Sequence, residues 1–558
     1  MSPISNREPL SPRPAPGFLL VGPYDPTGGE FTFLAPPLGV WRLAGTLEAA
    51  GFEVQVFDPN CAGEAPEKAL EKRLRARSWD VLGFSTTGMT LRYDLALAHL
   101  ARRVLPEALL VAGGMEATFK PRELFRLAPF DLVVLGEGEG PLLEIGRRLR
   151  AGSLLHGIPG TAFMRDDGDL ARLPRTAMER PALRDAIFRI PYEKMPYRSY
   201  WDKLERCYRV GDLPYKAERE ARLAEIRSVR LITLNYCPMG CTFCSSTNFL
   251  HAAQGGTARI ARLEAEECLA MLRRIVAAQP GVRTVIFQDD IFVFRQDQRI
   301  LPLCEAILAA KRSGDLPDDL QFISTNRVDA MNRERLTAMR RAGFRVLGFG
   351  IESFSLEVLK EFNKAQIHPH VREVLATALE LGITPFLDII LTSPRSRLDD
   401  LAETIRQAFQ WMVAGCEVGM YPYVIPFSGA VMAGDPELVP WTVFTRQSIA
   451  GTGISWDQPA KILPIDPEAR GVIVAIEAAF ELQRRSLQRH AAHMPSRLRS
   501  FLWILCAMRV LSEAGHSTPG SEEIVDELLA HLPGAPTGAG MKTLRGALLS
   551  PREALACP

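Results

Sequence analysis

The sequence predicts an α/β chain of two sheet-based units in series, followed by a mostly helical region. Three observations carry this. From Gly17 to about Asp166, short apolar runs alternate with helical patterns. From Ser228 to Ser428, six strand–helix repeats follow one another. Beyond Gly429, apolar residues recur at helical spacing. At 558 residues the chain is too long for one ordinary domain. The reading is a tail (1–16), a first domain (17–166), a linker (167–227), a partial barrel (228–428) and a helical C-terminal region (429–558).

Composition narrows the function classes. The formal charge of +1 and the lack of a basic tract argue against a nucleic-acid binder or a binder of acidic surfaces. Met1 to Gly17 is polar with five prolines, reads as disordered, and lacks the apolar core of a signal peptide. The most apolar later run, Phe501 to Leu511, is too short to span a bilayer and holds Arg509. Unpaired cysteines without an export signal point to the cytoplasm. No heptad run signals an oligomer, so a monomer is expected.

In the first domain, strands are predicted at Phe18–Gly22, Glu53–Asp58, Val81–Ser85, Leu109–Ala112 and Leu132–Leu135. Helices fill Pro37–Ala50, Pro66–Ala76, Arg92–Val104, Arg122–Leu127 and Gly140–Ala151. This βαβ rhythm implies an open, doubly wound (Rossmann-like) parallel sheet, whose ligands bind beyond the carboxyl ends of the strands. Small and polar residues gather at those ends. They are the Gly22–Gly39 loop, Ser85-Thr86-Thr87-Gly88, Gly113-Gly114 and Gly136-Glu137-Gly138-Glu139. One such loop is ordinary turn chemistry; four on one edge favour a site.

In the linker, Pro174, Pro181, Pro191 and Pro196 break up any long element, and Lys216–Arg227 reads as a charged helix. Its aromatics Phe188, Tyr192, Tyr197, Tyr200 and Trp201 suit packing against both neighbours.

The barrel strands are predicted at Val229–Leu234, Thr284–Gln288, Gln321–Thr325, Arg345–Phe349, Thr384–Ile390 and Glu417–Val424. The first runs into Asn235-Tyr236-Cys237-Pro238-Met239-Gly240-Cys241-Thr242-Phe243-Cys244, with cysteines at C-x3-C-x2-C spacing. Soft thiolates select zinc, copper(I) or iron–sulfur. A closed site wants four ligands, and the next cysteine, Cys268, sits in a helical pattern. An open metal position follows, although a zinc site with a remote fourth ligand also fits. The next three strands end in Gln288-Asp289-Asp290, Ser324-Thr325-Asn326-Arg327 and Gly348-Phe349-Gly350-Ile351-Glu352-Ser353. Parallel barrels place their chemistry on such ends. Helix caps and surface ion pairs are the ordinary uses of these residues; a polar cluster after three successive strands points to a ligand.

After the barrel, Arg470–Arg485, Arg497–Ala514 and Glu522–Leu532 read as helices, and the end from Pro533 as loose. Trp441, Trp456, His490 and His493 are candidate substrate contacts.

The cysteine stretch resembles the cluster loop of the radical S-adenosylmethionine (SAM) superfamily, with Phe243 as its aromatic before the third cysteine. The resemblance implies a partial (β/α)6 barrel in which Cys237, Cys241 and Cys244 hold a 4Fe–4S cluster whose open iron takes SAM. It assigns Asp289 and Asp290 to the segment that holds the SAM amino group, and counts Gln288 and Phe243 among the SAM contacts. Ser324, Asn326 and Arg327 go to its carboxylate, and Glu352 and Ser353 to a segment like the family's G-x-E-S. Leu391-Thr392-Ser393-Pro394 departs from the usual glycine-containing turn.

The first domain resembles the cobalamin-binding domain that precedes many radical SAM domains. The matching pieces are Pro36-Pro37-Leu38-Gly39, Gly51-Phe52-Glu53-Val54, Val111-Ala112-Gly113-Gly114 and Gly136-Glu137-Gly138-Glu139. This adds Pro37, Leu38, Gly39, Ser85, Thr86, Thr87, Gly113, Gly114, Gly136, Glu137, Gly138 and Glu139 as cobalamin contacts. Glu116 joins them, because Met115-Glu116 stands where relatives often have Pro-His. Asp25 is not followed by the family's histidine, so no protein histidine is expected on the lower face of the cobalt.

Together these resemblances imply a cobalamin-dependent radical SAM methyltransferase using a 4Fe–4S cluster, SAM and cobalamin. The methyl acceptor would be an unactivated carbon, less commonly phosphorus, of a small metabolite or natural-product precursor. The route would run through methylcobalamin and a 5′-deoxyadenosyl radical. An external one-electron donor such as flavodoxin or ferredoxin is implied, and the C-terminal region would cap the substrate. A cyclase or rearrangement enzyme with the same cofactors, and a non-catalytic cobalamin or iron–sulfur sensor, are the alternatives.

Overall fold

The structure is a computed structural model that describes residues 13, 15–26, 35–175, 179–208, 210–213, 215–254, 258, 260–364, 368–488 and 496–515. The predicted N-terminal tail to residue 12, residues 27–34 of the first strand-end loop, His490, His493, the Glu522–Leu532 helix and the end from Pro533 lie outside the described residues.

Five parallel strands form the first sheet: β1 (Gly17–Val21), β2 (Glu53–Phe57), β3 (Val81–Thr86), β4 (Leu109–Gly114) and β5 (Leu132–Val134). Their order, β2-β1-β3-β4-β5, puts the change of winding direction between β1 and β3. Alternate residues feed opposite faces. Leu19, Leu82 and Leu110 join one core cluster, and Phe18, Leu20 and Leu109 the other. Strands buried on both sides read as continuous apolar runs, which is why the sequence shows them clearly. The flanking helices are α1 (Leu38–Ala49), α2 (Pro66–Arg75), α3 (Leu91–Val104), α4 (Met115–Phe119), α5 (Pro121–Leu127) and α6 (Glu139–Ala151). Two antiparallel strands, β6 (Thr161–Met164) and β7 (Leu170–Leu173), extend the sheet beyond the parallel run that the sequence predicts.

The helices α7 (Arg180–Phe188), α8 (Tyr197–Cys207) and α9 (Lys216–Ile226) join the units. Tyr200 on α8 donates its hydroxyl to both oxygens of buried Asp58, just past β2 (3.0 and 3.1 Å). One residue on, Trp201 donates Nε1 to the Ser228 carbonyl at the start of the second sheet (3.1 Å). Adjacent aromatic residues thus tie the connector to both sheets.

The second sheet consists of β8 (Ser228–Leu231), β9 (Thr284–Phe287), β10 (Gln321–Asn326), β11 (Phe344–Glu352), β12 (Thr384–Ile390) and β13 (Glu417–Tyr421). All are parallel and each lies beside its predecessor, from β8 at one edge to β13 at the other. Helices α10 (Ser246–Gln254), α11 (Ala265–Ala278), α12 (Ile300–Arg312), α13 (Arg333–Ala342), α14 (Leu356–Glu361), α15 (His368–Glu380) and α16 (Leu398–Ala414) are spaced between them. Phe287, Phe292, Phe322 and Phe344 stack under the sheet at centroid distances of 4.2 to 6.1 Å.

Beyond the barrel the described residues are mostly helical, with one addition that the sequence reading lacks. Before α17 (Pro467–Gln488) and α18 (Ser496–Glu513) comes an antiparallel hairpin, β14 (Thr442–Ser448) and β15 (Ser455–Ile462). Ile449 and Trp456 of this hairpin are buried in the first domain's core cluster, which offsets the cost of ordering it.

Candidate cofactor sites

The cysteine loop runs from the end of β8 to α10 and is held from several sides. Thr242 donates its N–H to the Phe362 carbonyl (3.2 Å) and its hydroxyl to the Glu361 carbonyl (2.8 Å), at the end of α14. Its own carbonyl accepts from Met432 N–H (3.0 Å). Asn363 donates to the Gly240 carbonyl (2.9 Å), and Phe243 packs on Phe362 with centroids 4.8 Å apart.

The loop also supplies donors to sulfur. Ser246 N–H points at Cys244 Sγ (3.4 Å), and Met239 N–H at Cys237. Burial pushes the Cys237 thiol up to about 12 and raises that of Cys241. Metal ligation reverses that preference, because a coordinating thiol is deprotonated outright. Three part-buried thiols, with N–H groups aimed at two of them, are the ligand type that an iron–sulfur cluster takes, and its sulfurs take hydrogen bonds.

The strand ends nearby divide into groups facing the half-barrel and groups committed to the protein. Asp290 opens to the gap and takes a hydrogen bond from Ser246, and Gln288 is exposed. Glu352 ends β11 at φ +62°, a backbone region that side-chain-bearing residues rarely occupy. Its carboxylate meets Lys364 Nζ at 2.5 Å in a buried pair. Lys364, Glu352 and Arg327 all act electrostatically on Cys241, so this charged group lies beside the cluster loop. Arg327 is in turn braced by Asp329 (2.8 and 3.1 Å).

Other expected SAM contacts are placed elsewhere. The Asp289 carboxylate accepts from the Thr233 N–H (2.7 Å), the Leu234 N–H (3.0 Å) and the Thr233 hydroxyl, so it shapes the chain between β8 and the cysteine loop. Ser324 and Asn326 are buried and bonded to each other (2.9 Å). The residue between them, Thr325, is the exposed one, with Oγ1 3.4 Å from where a Gly348 Cβ would stand. The expectation is therefore one residue out of phase: alternation along β10 turns Thr325 and Arg327, not Ser324 and Asn326, to the inner face. Ser353 spends its hydroxyl on Thr404 (2.8 Å) and on Ser355 N–H (3.1 Å), joining this turn to α16.

Two inner-face residues escaped the sequence reading: Lys364 and Asp388. Lys364 lies twelve positions past its partner and carries no local pattern. Asp388 left a signal, as the one charge in the strand Thr384–Ile390.

On the first domain, the expected cobalamin loops do meet at the carboxyl edge of the sheet. Thr86 donates its hydroxyl to the Gly113 carbonyl (2.9 Å), and Thr87 and Thr90 share a hydroxyl contact (2.8 Å). Asp94 accepts from Tyr24 N–H (2.9 Å) and the Thr90 hydroxyl (2.7 Å), bridging the loops after β1 and β3. Gly114 has φ +101°, and a Cβ there would stand 2.6 Å from the Thr86 carbonyl oxygen. Pro37 precedes α1, Leu38 is buried and Gly39 is exposed; Ser85 is half-buried. Thr118 accepts the Gly136 N–H (2.9 Å) ahead of Gly138.

Glu137 and Glu139 are buried against Arg42 (3.9 and 2.5 Å), and Glu137 also pairs with Arg175 (3.3 Å). These ion pairs join α1 to the chain after β7, while the carboxylate oxygens make no hydrogen bond among the described residues.

Glu116 is buried and accepts the Ser428 hydroxyl (3.1 Å) from the segment after β13. The two border a cavity of about 340 Å³ with Gly88, Met89, Trp456 and Gln458. Gln458 of the hairpin donates to the Gly88 carbonyl (2.7 Å), so Trp456 stands at the first domain's edge, away from the half-barrel. Trp441 lies under Arg470, 4.9 Å from its ring. The first domain's histidines, His99 and His156, lie on α3 and after α6 rather than in the strand-end loops, and His99 is bonded to the Leu127 carbonyl (2.9 Å). An edge of small residues and backbone groups suits the close approach of a corrinoid.

No helix among the described residues is long and apolar enough to cross a membrane. Residues 24–146 match the B12 binding domain family and residues 231–408 the radical SAM superfamily. An uncharacterised methyltransferase of Pyrococcus horikoshii is 24% identical over 67% of this chain and 73% of its own length. The anaerobic magnesium-protoporphyrin IX monomethyl ester cyclase of Cereibacter sphaeroides is 26% identical over 71% of this chain, which spans 60% of that relative. The solved structure of the cobalamin-dependent SAM radical enzyme OxsB, with aqua-cobalamin and SAM bound, superimposes with a TM-score of 0.66. It covers 97% of this chain and 79% of its own, at 15% identity. With a B12 binding domain feeding into a radical SAM domain, the chain belongs to the cobalamin-dependent radical SAM enzymes, whose cofactors are a 4Fe–4S cluster, SAM and cobalamin.

Proposed function

We propose that the chain is a methyltransferase that moves a methyl group from SAM, by way of its corrinoid, to an unactivated carbon of a small molecule. One observation carries the reading: the cluster loop and the corrinoid edge are built against each other. Helix α10, which begins two residues after Cys244, packs on α4 at that edge, with Phe249 and Phe119 centroids 6.3 Å apart. Asn248 of α10 donates to the Gly429 carbonyl (2.6 Å), beside the Ser428 that bonds Glu116. When bound, the cluster supplies an electron to cleave SAM and the corrinoid supplies the methyl group.

The chain's own residues place and shield these groups. Cys237, Cys241 and Cys244 would hold the cluster. Asp290, Arg327, Glu352 and Lys364 surround the SAM position with charges of both signs, suited to its ammonium and carboxylate. Gly113, Gly114 and the loops after β3 and β5 let the corrinoid approach the backbone. Flavodoxin or ferredoxin is the class of donor proposed to deliver the electron.

The cyclase relative keeps a second reading open, in which both cofactors serve ring formation without methyl transfer. The experiment is an anaerobic incubation of the reconstituted enzyme with SAM, reductant and a panel of small-molecule acceptors. S-adenosylhomocysteine rising with a methylated product is expected. 5′-Deoxyadenosine with a cyclised product and no S-adenosylhomocysteine would favour the second reading. Intact SAM under every acceptor would overturn both.

A further inference from the structure

We propose that Asp388 anchors the substrate, and that the substrate presents an amine or hydroxyl donor to it inside the half-barrel. This rests on the reading of the half-barrel as the reaction chamber, and it adds a substrate class to that reading.

Asp388 sits in the middle of β12, at the register of Gly350 on β11 and Gly419 on β13. Glycines on both sides leave its carboxyl standing in a hollow. A Cβ at Gly350 would strike Glu352 Oε1 and Lys364 Nζ, both at 2.6 Å, so the hollow borders the buried ion pair. A Cβ at Gly419 would stand 3.5 Å from Asp388 Oδ1 and 3.0 Å from the Phe386 ring. Phe386, two residues earlier, therefore shares the inner face with Asp388 and supplies an apolar wall. Tyr421 feels the charges of both Asp388 and Glu352, so it stands at the same end of the hollow.

Among the described residues, no hydrogen bond or ion pair is made to the Asp388 carboxyl. Its charged neighbours are Glu352, which repels it, and Lys364, which is already taken by Glu352. Burial pushes this acid up to about 7. A half-buried carboxyl that opens on a hollow and meets no donor there offers a ligand an unfilled acceptor.

Glu352 and Lys364 act on both Cys241 and Asp388, so the hollow adjoins the cluster loop. SAM affinity in an Asp388 variant therefore separates a substrate anchor from a SAM contact.

The test uses enzyme reconstituted with iron, sulfide and cobalamin and saturated with SAM. The probes are 2-phenylethylamine, 2-phenylethanol and 3-phenylpropionate, which share a phenyl group for Phe386 and differ in the polar end. Saturation-transfer NMR gives their relative affinities in wild type, in the isosteric Asp388→Asn and in Phe386→Leu. We expect the amine and alcohol to bind and the carboxylate to be rejected. Asp388→Asn should weaken the amine at least about tenfold, with iron, corrinoid and SAM affinity unchanged. Phe386→Leu should weaken both binding probes and keep the preference between them. Equal binding of the carboxylate, an unchanged amine affinity in Asp388→Asn, or a fall in SAM affinity in that variant would each overturn the proposal. Failure of the methyltransferase reading would show separately, as absent S-adenosylhomocysteine with probe binding intact.

Discussion

The two sheets offer their strand ends to ligands in opposite ways. At the edge of the first, most polar side chains partner one another. Thr86 bonds Gly113, Asp94 bridges two loops, and Glu137 and Glu139 are locked on Arg42. What remains for a ligand is backbone and shape. On the inner face of the second, charged groups gather around the space: Asp290, Arg327 braced by Asp329, Glu352 paired with Lys364, and Asp388. A large cofactor with many peripheral amides can be held by a contoured edge, whereas a zwitterion chelating a cluster needs placed charges. Substitutions on the two sides should therefore separate cleanly.

The largest effect expected is from Cys241→Ala. Losing one of three thiolates should empty the cluster site, so that iron per chain falls to background and SAM cleavage disappears. Corrinoid affinity should shift by less than about twofold, since the two sites share no residue. Loss of both cofactors together would break the contrast and make the sites one cooperative unit.

Next comes Lys364→Met. Removing one partner of a buried pair strands the other, at a cost of about 3–5 kcal/mol. A lowered melting temperature and weakened SAM binding are expected, with the corrinoid spectrum unchanged. Unaltered SAM affinity would mean that the pair only supports the fold.

Much of this contrast was legible in the sequence. The alternation of apolar runs and helical patterns located every parallel strand among the described residues. What was lost depended on contacts between distant segments. On β10 the residues Ser324, Thr325 and Asn326 are all small and polar, so nothing local fixes which of them faces inward; the buried Phe287 and Phe322 beneath the sheet decide it. Glu137 and Glu139 look like ligand residues until Arg42 is found 95 and 97 positions earlier. The β14–β15 hairpin has little alternation because its pairing, and the seating of Trp456 in the first domain, make it a strand pair only in three dimensions.

A smaller change should come from Gly114→Ala. The positive φ and the approach to Thr86 oxygen leave no room for a methyl group, so the loop must move by tenths of an ångström. Strain of this kind costs about 1–3 kcal/mol, so corrinoid affinity should fall roughly tenfold while SAM cleavage by the loaded fraction stays normal. Equal losses on both sides would show that the corrinoid edge and the half-barrel respond as a single body.

The mildest effect, and the sharpest check on the division between committed and ligand-facing groups, is expected from Ser353→Ala. Ser353 lies next to Glu352 and within a motif that the superfamily uses for SAM, yet its hydroxyl is spent on Thr404 and Ser355. Deleting it leaves the Ser355 N–H and the Thr404 hydroxyl without that partner, at about 1 kcal/mol of stability. The expected result is a small drop in melting temperature with SAM affinity, measured on the reconstituted enzyme, equal to wild type. Should SAM binding weaken while stability holds, Ser353 would return to the ligand side and its bond to Thr404 would be one that SAM displaces. Adjacent residues, one aimed at the ligand space and one at α16, would then no longer mark the boundary of the site.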